Sequence, residues 1–181
     1  MQADVMERAR RVRLLTCDVD GVLTDGRIYV DDQGREIKAF SALDGVAMHR
    51  LANAGIVVAW ITGSAAPAVT HRAHQLRIPH LVLDAHDKLV PWERLRGELG
   101  LAPEQCAHIG DDLPDIPVLM VCGLAVTVPH APPAVRAHAH HVTTRDGGSG
   151  AVRELADLIL SAQGHDDAEA LVAARVLATS G

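Results

Sequence analysis

Apolar residues fall along this chain in short unbroken runs: RLLTC (13–17), IVVAWI (56–61), HLVLD (80–84), CAHI (106–109), LAVTV (124–128) and HVTT (141–144). Runs rich in Val, Ile and Leu, without polar alternation, suit strands covered on both faces. Helix-length segments separate most of them, and strand–helix alternation implies right-handed crossovers in a parallel sheet. A doubly wound α/β domain is therefore expected. Its helices have matching punctuation: Asp44 as a cap before GVAMHRLANAG, Gly55 after it, and Pro103 and Pro114 in or near loops and first turns. One segment breaks the rhythm. GRIYVDDQGREIKAF reads as two short strands around a turn at Asp31 to Gly34, a β-hairpin inserted after the first strand. The domain is expected over residues 1–164, and HDDAEALVAARVLATSG, with helix formers but no clear anchor, reads as a loosely held tail over 165–181.

Composition narrows the class. With 181 residues, 48% of them hydrophobic and 22% charged, the chain is long enough for one well-buried core and short for two. A net charge of −6 with no basic run gives no electrostatic footprint for nucleic acid. No apolar stretch approaches the ~20 residues of a membrane span, and MQADVMERARRVR lacks the apolar core of a signal peptide. A cytoplasmic protein without a nucleic-acid or membrane partner is expected. Cys17, Cys106 and Cys122 are odd in number, lack CxxC spacing and sit in apolar contexts, so they read as reduced core residues.

The acidic residues carry the chemistry. In LLTCDVDGVLTDG, Asp18, Asp20 and Asp25 crowd the end of an apolar run, although neighbouring carboxylates repel and are costly to desolvate. Ligands of open α/β sheets bind beyond the carboxyl ends of the strands. Asp18 follows the first predicted strand, Thr62 the second, Lys88 lies shortly after the third, and GDDLPD (110–115) follows the fourth. Singly, Asp18 or Asp111 could cap a helix, Thr62 could shape a turn and Lys88 could be solvated. Jointly they gather more acid than capping needs. A divalent cation would keep such carboxylates ionised, and an all-oxygen set favours Mg²⁺ over zinc. Mg²⁺ held this way keeps positions open for phosphate oxygens, so a phosphorylated substrate is expected.

DxD after strand one, ITG with its threonine after strand two, a lysine after strand three and GDDxxD after strand four resemble the four motifs of the haloacid dehalogenase superfamily. More closely, DVDGVLTDG, DKL, IGDDLPDIPV and GGSGAVRELADLILSAQG resemble the capless phosphatases that act on 3-deoxy-D-manno-octulosonate 8-phosphate and supply a sugar of lipopolysaccharide, over roughly residues 11–164. The resemblance implies Asp18 as nucleophile, forming an aspartyl phosphate, and Asp20 as general acid and then base. It implies that Thr62, the amides around Gly63, and Lys88 hold the phosphoryl oxygens, with Mg²⁺ on Asp18, Asp111 and the carbonyl of Asp20. Asp112 and Asp115 would orient metal waters and Lys88. Asp20 argues for an oxygen leaving group, since halide departs without a proton. The interval from Asp18 to Thr62 already holds a hairpin, a helix and a strand, so no cap domain of about 50 residues fits there or before Lys88. The family's answer to an open site is a homotetramer whose hairpins line adjacent sites.

The chain also departs from the pattern. Ser64 stands where an arginine commonly follows ITG, and LDAHDK lacks an expected glycine. Arg27, Lys38, Arg72 or Arg145 could supply a replacement cation, and His86 could face substrate. His138, His140 and His141 have spacings that could catch a soft metal, but no carboxylate or cysteine completes a site and an edge strand is the better reading. Beside the sugar-acid phosphatase stand two alternatives: a phosphatase for another sugar phosphate, such as a nine-carbon sugar acid 9-phosphate, and a non-catalytic tetramer-forming module.

Overall fold

The six apolar runs all become strands, and the polar segment after the first becomes the hairpin. The structure, a computed structural model, describes residues 2–165, so the expected tail beyond His165 lies outside the described residues. In chain order it contains α1 (Gln2–Arg11), β1 (Leu14–Cys17), β2 (Tyr29–Val30), β3 (Glu36–Ile37), α2 (Ala42–Asn53), β4 (Val57–Ile61), α3 (Pro67–Gln75) and β5 (His80–Val82). There follow α4 (Leu89–Glu98), β6 (Cys106–Ile109), α5 (Ile116–Val121), β7 (Leu124–Thr127), α6 (Pro133–Arg136), β8 (His141–Val142) and α7 (Ala151–Ala162). The main sheet has the order β5-β4-β1-β6-β7-β8 with every neighbouring pair parallel.

β1, β6 and β7 are buried at every position, which is why their sequences show no alternation. α7 packs on α1 and α2, while α4 packs on α5. The crossover from β1 to β4 contains only the hairpin and α2, and that from β4 to β5 only α3. The fold is a doubly wound α/β sheet without a cap. Cys17, Cys106 and Cys122 are free and buried; burial pushes the thiols of Cys106 and Cys122 up to about 11 and about 12, so both stay protonated.

The hairpin is fastened at both ends. At its tip the Asp31 carboxylate accepts from the backbone N–H of Gln33 (2.9 Å) and Arg35 (2.8 Å) and pairs with the Arg35 side chain. At its base Phe40 stacks on the buried Trp60 of β4 with ring centroids 6.0 Å apart.

One helix is new and one local expectation changes. α1 was not legible as a helix among the mixed charges of the N-terminus; it buries Val5 and Ala9 and pairs Arg8 with Asp4 and Arg11 with Glu7. Asp44 does not cap α2, whose N-cap is Ser41; it sits in the first turn of α2 and caps α7 across the interface, accepting from the Arg153 N–H at 2.8 Å. The first peptide groups of α7 find in Asp44 the acceptor that its own N-cap, Gly150, lacks.

Asp44→Ala is therefore expected to lower stability by about 1–2 kcal/mol, read as a drop in urea midpoint. Burial raises the Asp44 carboxyl from its ordinary 3.8 to about 6 in spite of those amides. The folded state thus holds the proton more tightly, and its contribution to stability is present below about pH 4 and lost as pH rises through 6. Against Asp44→Asn, the parent protein should lose stability across that window. A pH-independent difference would contradict the assignment.

Candidate active site

The strand order turns at β1, with β4 on one side and β6 on the other, and the chain leaves the carboxyl ends of these strands into one place. Asp18 follows β1 and its N–H donates to the Ile109 carbonyl at 3.0 Å. Thr62 follows β4, held by its N–H to the Val82 carbonyl, and its hydroxyl accepts from the Ser64 N–H at 3.0 Å. Lys88 stands at the start of α4, and the loop of Gly110 to Asp115 follows β6. Asp18, Asp20, Thr62, Gly63, Lys88, Asp111, Asp112 and Asp115 all line one open cleft of about 480 Å³. The glycine of DVDG is required by this approach: Gly21 has φ +92°, and a Cβ there would lie 2.0 Å from Asp111 Oδ2.

Below the cleft runs a chain of buried charge. Lys88 Nζ lies 2.8 Å from Asp18 Oδ1 and 2.6 Å from Asp115 Oδ1. His108 Nε2 donates to the same Asp115 oxygen at 3.0 Å, and His108 Nδ1 lies 2.9 Å from the Thr16 hydroxyl. Asp115 Oδ2 accepts from the N–H groups of Asp111 and Asp112, both at 3.2 Å. Asp115 is fully buried, which disfavours its charge, but the donors of His108 and Lys88 hold it below the usual carboxylate range. Gly110 is required here too, since a Cβ would meet the Asp115 carboxyl carbon at 2.1 Å. The Asp112 carboxylate turns to its own loop and accepts from the Leu113 N–H at 2.8 Å.

The other acids are undercompensated. Burial and the Asp115 charge raise the Asp18 carboxyl despite Lys88. Burial, with the charges of Asp18 and Asp115, pushes Asp111 up to about 8. Asp111 Oδ1 is buried without a hydrogen-bond partner, and Asp18, Asp111 and Asp115 each offer an oxygen within 4.8 Å of the others. A buried lone oxygen among crowded carboxylates fits a hard cation bound by oxygen. With Asp115 already taken by four donors, Asp18 and Asp111 are the carboxylates left to bind it.

Of the candidate cations, Lys38 reaches the site, where it pairs with Asp20 and Glu36. Arg27 is exposed beside Asp25. Arg72 donates to Gln75 and packs over Gly45 of α2. Arg145 lies at the start of α7. Ser64 and His86 line the cleft, and His86 pairs with Asp84 at 3.2 Å. His140 accepts from the Ala125 N–H and His141 opens the edge strand β8, as an edge-strand reading of that run expects. His108 escaped the reading of the sequence, although a histidine in the otherwise apolar CAHI is a signal: a polar group in a fully buried strand needs a partner.

Comparison with known proteins agrees with this geometry. A family model described as haloacid dehalogenase-like hydrolase matches residues 80–155. A 3-deoxy-D-manno-octulosonate 8-phosphate phosphatase of Yersinia pestis is 50% identical over 160 residues, 88% of this chain and 86% of the relative. That of Escherichia coli K12 is 45% identical over 167 residues, covering 92% of this chain and 89% of the relative. The crystal structure of the Moraxella catarrhalis enzyme, in complex with magnesium, phosphate and the sugar acid KDO, superposes with a TM-score of 0.92 at 38% identity, covering 95% of this chain and 99% of that one. With these likenesses spanning nearly its whole length, the chain belongs to the 3-deoxy-D-manno-octulosonate 8-phosphate phosphatase family of the haloacid dehalogenase-like hydrolases.

Proposed function

We propose that this protein is a Mg²⁺-dependent phosphomonoesterase that cleaves 3-deoxy-D-manno-octulosonate 8-phosphate into the free sugar acid and phosphate. The observation that carries the reaction class is Asp18, held by Lys88 at the floor of a cleft whose crowded carboxylates suit a hard cation. The substrate rests on the relatives, several of which carry that activity in their names.

The Asp18 and Asp111 carboxylates and the Asp20 backbone carbonyl would hold Mg²⁺, which supplies charge compensation to the carboxylates and to the phosphoryl oxygens. Thr62, the amides near Gly63, and Lys88 receive the phosphoryl group, since phosphoryl transfer is catalysed chiefly by positioning and charge stabilisation. An Asp18 oxygen attacks phosphorus as the bond to the sugar oxygen breaks. Asp20 gives that oxygen its proton, and a phosphoryl group remains on Asp18. Asp20 then takes a proton from the water that attacks the aspartyl phosphate, which releases phosphate and restores Asp18. Asp115 orients Lys88, and Asp112 lines the cleft from the same loop as Asp111.

The protein is read as a homotetramer working in the cytoplasm. Ile28 (77% exposed), Val30 (61%) and Ile37 (54%) leave an apolar surface on the hairpin beside the cleft, as an interface between subunits needs. Ser64 leaves the cleft without a guanidinium at that place, so substrate choice is the feature to measure across several sugar acid phosphates, the nine-carbon 9-phosphate included.

Phosphate release from the eight-carbon substrate should stop in EDTA and return with Mg²⁺. Mg²⁺ should also raise the melting temperature, because it binds only the folded site. Asp111→Asn is expected to lose most of that thermal shift while remaining folded. Full turnover in EDTA would refute the metal assignment, and turnover of another sugar phosphate in its place would refute the substrate.

Light scattering should report four subunits. The double substitution Ile28→Lys with Val30→Lys should give smaller species that discriminate poorly among sugar phosphates. A fully active monomer would refute the assembly.

A further inference from the structure

Lys38, the residue that follows β3, has a chemistry that the reaction above leaves unused. It stands just past the end of an exposed two-stranded ribbon, yet its side chain is only 3% exposed, an unusual state for a lysine. Its Nζ lies 2.5 Å from Asp20 Oδ1 and 2.5 Å from Glu36 Oε1, so one ammonium is shared by two carboxylates that both line the cleft. The Thr24 hydroxyl approaches the same Asp20 oxygen at 3.5 Å. Both donors thus take Oδ1, and among the described residues none takes Oδ2.

We propose that Lys38 is a positioning residue for proton transfer, acting through Asp20. By fixing Oδ1 it leaves Oδ2 to meet the bridging oxygen of the substrate and, in the second half-reaction, the attacking water. Glu36 balances the charge and holds the ammonium from the other side. A carboxylate on a short side chain rotates about two bonds, and a group that must serve two steps at one place gains from being held. The hairpin then has a task inside its own subunit in addition to offering an apolar surface. The proposal rests on Asp20 being the proton carrier, and the test separates the two.

Rapid mixing with two substrates isolates the effect. The sugar acid phosphate leaves as an alkoxide that needs a proton, whereas p-nitrophenyl phosphate has a leaving group that does not. Lys38→Met should slow single-turnover cleavage of the sugar acid phosphate about tenfold or more, with KM within about threefold and the nitrophenolate burst within about twofold of the parent. Lys38→Arg should recover much of the loss. Glu36→Gln, which keeps the ammonium and changes only its second partner, should show a smaller split in the same direction, and it carries the test if Lys38→Met does not fold. Equal slowing with both substrates would mean that Lys38 only supports the hairpin, and a raised KM for the sugar acid phosphate at unchanged kcat would make it a substrate contact. Either result overturns the proposal. Asp20→Asn is measured alongside: a split there with none at Lys38 removes the role of Lys38 alone, and no split at Asp20 removes the reading of Asp20 beneath it.

Discussion

The site depends on one buried ion pair. Lys88 lies between Asp18 and Asp115, beneath the cluster of carboxylates at the end of β1. Removing one partner from such a group leaves an uncompensated buried charge and costs several kcal/mol, so the three must be present together. They come from β1, the start of α4 and the loop after β6, and the pair therefore ties three crossovers to the centre of the sheet. Asp115 is the hinge of the arrangement. His108 and Lys88 take one of its oxygens, two loop amides take the other, and the same contacts that orient Lys88 shape the loop carrying Asp111. Asp111 is left with an oxygen that no protein group satisfies. The network thus sets one ammonium at the floor of the cleft and leaves the Asp111 carboxylate uncompensated beside it.

Openness is the second constraint. Both crossovers that could carry a lid are filled by the hairpin, one helix apiece and the sheet strands themselves. Water can reach such a cleft freely, which suits the hydrolysis of an aspartyl phosphate but offers little grip on a sugar. The hairpin, stapled by Phe40 to Trp60 and stiffened at its tip by Asp31, is the part of the chain that borders this open cleft: Ile28 and Glu36 line it, and Lys38 pairs with Asp20 beside it.

The inner strands were legible because a parallel strand buried on both faces must be apolar throughout, and the runs of β1, β4, β6 and β7 stand clear of their surroundings. The cleft was legible because its acids follow those runs, and strand order alone brings the ends together. The contacts made across the sequence were hidden. Asp44 reads locally as a cap for its own helix, and only the packing of α2 on α7 shows that it serves the other. α1 has its apolar residues at helical spacing, but one narrow stripe among six charged or amide neighbours gives a weak signal. Lys38 is one cation among several in the sequence; the fold of the hairpin decides that it meets Asp20 while Arg72 packs between helices and Arg145 reaches the Ser149 carbonyl ahead of α7. His108 differs, since its place in a buried strand announced a partner without naming it.

The central claim is that Asp18 takes the phosphoryl group and Asp20 moves the protons. Asp20→Asn mixed with p-nitrophenyl phosphate and Mg²⁺ should complete the first step, whose leaving group needs no proton, and stall at the second. Intact mass spectrometry after a rapid acid quench, followed by peptide mapping, should find one phosphoryl group, on Asp18. A phosphoryl group on any other residue, or a burst of nitrophenolate with Asp18 unmodified, would contradict the account.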